Sequence, residues 1–319
     1  MPIDETLAGY SDLAFESAFA VFVVAFVLLI WQYASAKAGK AHASELVAAG
    51  EVGALVPGRV VEAPRKPFAE RLGNSAYAVL IVGVALQVLS IVLRGLATHR
   101  FPLGNMYEFV TMACTAAMVV GLVLLRGQKY RSMWVFVLAP VLVLMFLAGT
   151  VLYADAAPVV PALRSYWLPI HVTIVSIGSG IFLVSGVASL LFLLRLRQPE
   201  GSEHGRLGAL ARRLPSAQSL DRLAYKTTII GFPLFGAGVI LGAIWAEAAW
   251  GRFWGWDPKE TVSFITWVIY AAYLHARATS GWRDTKAAWI NVAGFTAMLF
   301  NLFIINIVVS GLHSYAGLN

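Results

Sequence analysis

Eight stretches of this chain are apolar enough, and each is about long enough, to cross a lipid bilayer as a helix. A crossing helix needs about 20 mostly apolar residues, and inside the hydrocarbon only helices and closed barrels satisfy every backbone hydrogen bond. Charged residues make up 13% of the 319 residues, against roughly 25% in soluble domains. The sequence therefore predicts an all-α, polytopic membrane helical bundle that forms a single integral membrane domain over residues 1–319. The predicted spans are approximately 13–35, 75–94, 106–126, 132–153, 167–195, 223–248, 258–278 and 287–310.

The basic residues are distributed unevenly between the loops that connect these spans. Nineteen of the 24 Lys and Arg residues lie in one set of alternate loops, and five lie in or beside the other set. Loops rich in Lys and Arg stay on the cytoplasmic side of a membrane. The asymmetry predicts that both termini and the loop at 249–260 lie on the outer side. It also explains the net charge of +7 as a topology signal, so nucleic acid is not a predicted partner.

Two further features limit the possible functions. Residues 1–12 contain no Lys or Arg, whereas a cleavable signal peptide starts with a basic region, so the first span is predicted to remain as an anchor. Cys114 is the only cysteine of the chain, which excludes an intramolecular disulfide, a redox-active Cys-x-x-Cys pair and a cysteine-based zinc site. Any thiol chemistry in which the protein takes part must use thiols from another chain.

The loop at 249–260, called here the Trp-rich loop, concentrates aromatic side chains between two predicted spans. Trp250, Phe253, Trp254 and Trp256 fall within seven residues. Trp is common at membrane interfaces, but an interfacial belt spreads its rings around the protein instead of gathering them in one connection. Composition leaves two alternatives open, a belt and a flat aromatic surface for a planar cofactor. If the loop is helical, its first three aromatic side chains share one face.

The second half of the Trp-rich loop predicts the start of a helix. Asp257 and Pro258 suit the N-cap and the first helical position, and Glu260 in the first turn favours the helix dipole. Arg252, inside the loop, is the best placed of the predicted outer arginines to pair with the propionates of a haem. The other two candidates for that pairing are Arg100 and Arg164.

Four histidines lie in or beside the predicted spans, and an ionisable residue there is a functional candidate by default. His171 and His313 lie near the outer face, where two neutral imidazoles on opposite sides of a haem would form a ligand pair. The alternative is two interfacial histidines that never meet. His275 lies about 25 Å along a helix from Pro258, so it belongs to a second, deep site or is a helix-end residue at the inner interface. His99 is the weaker candidate ligand, because its neighbours read as a polar loop.

Other conspicuous residues receive a structural interpretation. Glu108 and Glu247 flank predicted spans and are expected to support the fold instead of facing propionates. Gly238 and Gly242 form a GxxxG pattern, which predicts close helix packing in the sixth span.

The run from Trp250 to Glu260 resembles the WWD signature of haem-handling membrane proteins. Within that superfamily the chain is similar to the CcsA (ResC-type) family of system II cytochrome c biogenesis, strongly from about residue 90 onwards. Two departures from the family pattern are Val262, where a tryptophan is common, and His99, which precedes the FPL segment by one residue more than in relatives. The other segments that carry the resemblance are 101–108 (FPLGNMYE), 167–171 (WLPIH), 272–277 (AYLHAR) and 310–315 (SGLHSY).

The resemblance implies roles for particular residues. His171 and His313 would ligate haem b at an external site, with Trp250, Trp254, Trp256 and Asp257 forming the surface against which it lies. His275 would ligate a second haem within the membrane during export, and the other ligand of that haem would come from a CcsB-type partner chain.

The resemblance also implies an activity, partners and a location. The chain would export haem and present it for covalent attachment to the CxxCH motifs of apocytochrome c, as a component of a cytochrome c haem lyase. Whether it attaches haem alone stays open. Its partners would be the CcsB-type subunit, apocytochrome c and thiol-reducing proteins, and its location a bacterial inner membrane or a thylakoid-type membrane. The alternatives are a bis-histidine b-type cytochrome for electron transfer, a haem transporter without attachment activity, and a haem-delivery protein of the other maturation system.

Overall fold

A computed structural model describes residues 2–48, 68–159 and 163–313, with side chains at 2–35, 68–159, 163–305 and 308–313. Within these ranges the secondary structure is helical and contains no strand, which confirms the predicted all-α class. A 3-10 turn at Gln128–Met133 leads into the fourth helix. The helices are α1 (Glu5–Ala48), α2 (Phe68–Thr98), α3 (Met106–Leu124), α4 (Trp134–Thr150), α5 (Trp167–Arg197), α6 (Gly205–Ala211), α7 (Ala217–Trp250), α8 (Pro258–Ala278) and α9 (Thr285–Ile307).

Seven of the described helices are long and apolar enough to cross a membrane, so the protein is a multi-pass membrane protein. They are α1 to α5, α7 and α9, and each overlaps one of the predicted spans. The remaining predicted span, 258–278, coincides with α8 but falls outside that set. Its Thr, Ser, Tyr, Trp and His residues lower its mean hydropathy without interrupting the helix.

The contacts of α8 show that it nevertheless runs the length of the bundle. Seven residues separate the end of α7 from the start of α8. Near the far end of α8, Arg277 forms an ion pair with Asp221, close to the start of α7, at 2.6 Å. The chain then returns through α9, so that His313 lies 2.7 Å from Asp257 at the beginning of α8. Helices α7, α8 and α9 therefore traverse the bundle as three antiparallel passes.

Helix α5 lies at the centre of the bundle. Within the most apolar stretch of α5, 78% of the residues are buried inside the protein, a larger share than in any other candidate span. Glycines allow this close packing, since a Cβ added at Gly180 would lie 2.9 Å from Cα of Ala117 on α3. A Cβ at Gly178 would lie 3.0 Å from the backbone nitrogen of Phe235 on α7. The tight seams on both sides fix the position of His171, which lies in the first turns of α5.

A buried polar cluster joins α5, α7 and α9 in the half of the bundle that contains Arg277. Ser185 Oγ lies 2.7 Å from Thr228 Oγ1, and Asn291 donates a hydrogen bond of 2.9 Å to Ser185. All three side chains are fully buried. Because buried polar groups strengthen one another only when they are paired, this cluster fixes the register of the three helices.

Candidate functional site

The central part of the Trp-rich loop, residues 251–257, is not helical. Helix α7 ends at Trp250 because Gly251 takes a left-handed conformation, φ 72°, and its N–H bonds to Glu247 O at 2.8 Å. Glycine adopts that conformation without steric cost. The loop is therefore not a continuous helix, and the condition for a common face of Trp250, Phe253 and Trp254 is not met. The predicted helix start is confirmed, since Asp257 caps α8 and Pro258 is its first residue.

A cavity opens where the non-helical segments at one end of the bundle meet, and this end is called the cavity end. Its empty volume is about 1210 Å³, counting the space at its mouth that is open to solvent. Pockets for small ligands and cofactors are lined mainly by apolar residues. The lining here is also largely apolar and includes side chains such as Phe109, Leu168, Val239, Trp245 and Met298.

His171 enters the cavity from α5 and is held by α7. Its Nδ1 lies 2.7 Å from the carbonyl oxygen of Gly238, and its ring stacks on Trp245 at 6.1 Å with 6° between the planes. A Cβ at Gly242 would lie 2.7 Å from His171 Cε1. The GxxxG pair thus does more than pack helices, because Gly238 supplies the hydrogen-bond acceptor and Gly242 leaves room for the imidazole.

His313 lines the same cavity and is held by the capping residue of α8. Its Nδ1 lies 2.7 Å from Asp257 Oδ2, and the other oxygen of Asp257 accepts the backbone N–H of Leu312 at 2.8 Å. The ring meets Trp250 edge-on at 5.2 Å and Trp245 edge-on at 5.8 Å. The structure therefore brings together His171 and His313, which lie 142 residues apart in the chain, since both line one cavity and both contact Trp245.

The acceptors beside both histidines determine which ring nitrogen carries the proton. A carbonyl or carboxylate beside Nδ1 requires the proton there, so the lone pair of each neutral ring lies on Nε2. Burial lowers the pKa of His313, although the hydrogen bond that its Nδ1 donates to Asp257 opposes that effect. Burial raises the pKa of Asp257, but the hydrogen bonds from His313 and Leu312 outweigh it and leave the pKa below its usual value. An ionised Asp257 next to a neutral imidazole is the pairing found behind many metal-binding histidines.

The tryptophans of the loop differ in their exposure to the cavity. Trp254 lines it, and Trp250 packs edge-on against Trp245 at 4.8 Å. Trp256 is 68% exposed, has a positive φ of 57°, and meets Trp254 edge-on at 5.8 Å. The loop therefore presents aromatic surface both to the cavity and to the outside of the bundle.

Arg252 is directed along the loop. Its guanidinium lies 3.3 Å from Glu260 Oε1 and 6.0 Å from the centroid of the Trp250 ring. It also occupies the space beside Gly255, where an added Cβ would lie 1.8 Å from Nη1 of Arg252. Arg252 is not among the described residues that line the cavity.

The other two candidate histidines do not join this site. His275 lies on α8, two residues after Tyr273 and two before Arg277, and its side chain is exposed at the opposite end of the bundle. His99 is exposed in the connection between α2 and α3 with φ 50°. Neither is among the described residues that line the cavity.

One wall of the cavity, residues 103–106, is fixed by the buried carboxylate of Glu108. That carboxylate accepts the backbone N–H of Gly104 at 2.6 Å and bonds to Arg100 at 2.8 and 3.0 Å and to Arg94 at 3.1 Å. Its side chain is 1% exposed. The structural interpretation of Glu108 follows directly from these contacts, which tie the wall to α2 and α3.

Reasoning from the sequence missed Trp245 and Lys259 as cavity residues. Trp245 is 2% exposed and reads as one more apolar residue of a span, and Lys259 reads as a first-turn residue of α8. The available signal was spacing along the chain, because Trp245 precedes Trp250 by five residues on the same helix and Lys259 lies two residues after Asp257.

The fold and the cavity define a class, namely multi-pass helical membrane proteins with two anchored histidines in an apolar cavity at one end. A family model described as cytochrome c assembly protein matches residues 103–313, which contain this whole cavity. The chain belongs to that family, and its role lies in cytochrome c biogenesis.

Curated relatives agree with this assignment. The chain is 32% identical to the cytochrome c biogenesis protein CcsA of Gloeobacter violaceus, with 80% of this chain and 89% of that protein covered. It is 34% identical to CcsA of Chlamydomonas reinhardtii, with 75% and 68% covered.

A solved structure shares the fold. The cytochrome c haem lyase CcmF superposes with a TM-score of 0.64 at 16% identity over 95% of this chain. The chain spans about half of that protein, 47% of its length.

Proposed function

We propose that the cavity binds haem b between His171 and His313 and presents it to apocytochrome c for covalent attachment. The observation that carries this proposal is the pair of imidazoles in one apolar cavity, each with Nδ1 on a fixed acceptor. Such anchoring places the proton on Nδ1, so the Nε2 lone pair of each neutral ring would be available to the haem iron. Membership of a cytochrome c assembly family agrees with haem as the cargo.

The chain's own contribution to attachment is positioning. Each thioether forms when a thiol of a CxxCH motif adds its sulfur and hydrogen across a haem vinyl group, so no oxidant or leaving group is required. The porphyrin and the substrate thiols supply this chemistry. Trp250, Trp254, Trp256 and Asp257 would support the haem and the segment that carries His313 while the apocytochrome approaches.

The proposed orientation follows from the charges. The cavity end joins loops poor in Lys and Arg, so it would face the periplasm or the thylakoid lumen. Haem would then arrive from the opposite, cytoplasmic side. His275 is exposed on α8 towards that side, a position from which it would share a membrane haem with a ligand on a CcsB-type partner.

His275→Ala is expected to reduce the haem that co-purifies with the complex of this chain and its CcsB-type partner. Affinity of the cavity for added haem should stay unchanged, because His275 lies at the other end of the bundle. Haem content per complex would be measured by the pyridine haemochrome assay. His204→Ala, at the exposed N-cap of α6, serves as control. Equal haem content in both variants would refute a ligand role for His275.

Asp257→Asn is expected to weaken haem binding about 10- to 100-fold, the usual effect of removing a carboxylate behind a ligating histidine. The reduction potential of the bound haem should also rise, since the imidazole becomes a poorer donor. Asparagine caps helices as well as aspartate does, so thermal stability should change little. Haem titration and redox potentiometry measure the two effects.

The control for Asp257→Asn is Glu247→Gln, which neutralises an exposed carboxylate in the last turn of α7. An Asp257→Asn variant with the affinity and potential of this control would show that the carboxylate does not act through His313.

A further inference from the structure

One formally positive side chain is present among the described lining residues of the cavity, and it belongs to Lys259. Lys259 lies in the first turn of α8, and its Nζ lies 5.5 Å from the centroid of the Phe109 ring on α3. The side chain therefore reaches from α8 to α3 at the level of the two histidines. Its charge also contributes to lowering the pKa of His313, after burial of that ring.

Glu260 is the one acid among the described lining residues, and its carboxylate forms its contacts within the Trp-rich loop. Glu260 Oε2 accepts the backbone N–H groups of Gly255 at 2.8 Å and Asp257 at 3.1 Å, and Oε1 faces Arg252 at 3.3 Å. These contacts complete the capping box of α8. The charge of Glu260 thus stabilises the Trp-rich loop.

The arginines expected to meet an anionic cargo are occupied elsewhere. Arg252 faces Glu260, Arg100 is paired with the buried Glu108, and Arg164 is exposed with its Nε 3.3 Å from Val159 O. None of the three is among the described residues that line the cavity. Lys259 is therefore the one Lys or Arg side chain among the described residues that line the cavity.

We propose that Lys259 binds a carboxylate of the cargo, which in haem is a propionate; this inference rests on the proposed function. Haem carries two ionised propionates, and burying a carboxylate in an apolar cavity without a partner is costly. An ammonium group supplies three donors and a compact charge without a fixed planar geometry. Because the propionates occupy one edge of the macrocycle, the contact also turns the vinyl-bearing half away from Lys259.

The test compares two ligands in the unchanged protein and in three variants. Ferrous haem b and its dimethyl ester, in which both propionates are neutral, are titrated into the full-length protein and into Lys259→Met in detergent. Partitioning of each ligand into micelles is the same for both proteins, so the ratio of the two preferences isolates the contribution of Lys259. Lys259→Arg retains a positive charge, and Lys286→Met removes an exposed lysine at the opposite end of the bundle.

The unchanged protein, Lys259→Arg and Lys286→Met are expected to prefer haem over the ester by roughly 10- to 100-fold, the size of one hydrogen bond between charged groups. In Lys259→Met that preference should fall to about one. If Lys259→Met retains the preference, or weakens both ligands by the same factor, Lys259 is not the carboxylate partner. A protein that binds neither ligand overturns the proposed function itself, which is a different outcome from haem binding without this preference.

Discussion

His171→Ala and His313→Ala are each expected to abolish matured c-type cytochrome, because either change removes one of the two nitrogens proposed to hold haem in the cavity. The measurement is haem staining of a reporter cytochrome in cells in which this chain is the only source of the activity. Added imidazole should restore part of the product in both variants, since it can occupy the space left by the side chain and supply the missing nitrogen.

His99→Ala is the matched control, because His99 is exposed near the cavity end and does not line the cavity. It should retain full activity. Normal maturation in both His171→Ala and His313→Ala would remove these two residues from the mechanism. A loss that imidazole cannot restore in either variant, accompanied by loss of protein from the membrane, would assign them a structural role.

Glu108→Ala is expected to destabilise the protein by about 3–5 kcal/mol, the usual effect of removing one partner from a buried ion pair. The change would leave Arg94 and Arg100, whose side chains are 3% and 15% exposed, without their shared carboxylate. It would also release Gly104, so haem affinity should fall together with stability. Denaturant unfolding in detergent micelles measures the first effect and haem titration the second.

Glu16→Ala provides the comparison for Glu108→Ala, because Glu16 is an exposed acid on α1. Glu108→Gln should fall between the two, since its amide oxygen can still accept the N–H of Gly104 while the charge is lost. An unfolding free energy of Glu108→Ala within about 0.5 kcal/mol of the Glu16→Ala value, the range of ordinary surface changes, would contradict the account of this wall.

The parts of the structure that the sequence predicts are those governed by local rules. Apolar stretches of membrane length become helices because the bilayer leaves the backbone few other choices. Asp257 followed by Pro258 starts α8 because a side-chain acceptor and a residue without N–H both suit the first turn of a helix. These signals lie within a few residues of the structure they determine.

The parts of the site that the sequence does not predict depend on residues far apart in the chain. Asp257 is explained fully by its capping role, and nothing nearby indicates its bond to His313, 56 residues later. The stacking of Trp245 on His171 likewise joins two helices. A resemblance to a family indicated the histidines, but it gave no information about what holds each ring.

Local turns explain why the aromatic side chains and Arg252 do not lie where the sequence alone suggested. The left-handed Gly251 separates Trp250 from Phe253 and Trp254, which a helical loop would have grouped, and a second left-handed residue, Trp256, precedes the N-cap of α8. The same turns direct Arg252 to Glu260 and leave Lys259 at the cavity. Charge and composition alone could not distinguish the two cations, because they lie only seven residues apart in the same connection.

A visible absorption spectrum of the purified protein loaded with haem, before and after dithionite, tests the central claim most directly. Bis-histidine ligation in the cavity predicts a low-spin reduced spectrum with sharp α and β bands. His171→Ala and His313→Ala should each convert it to a high-spin spectrum and lower the affinity, whereas His275→Ala should leave added haem low-spin. An unchanged low-spin spectrum in both cavity variants would contradict the assignment of His171 and His313 as the ligands.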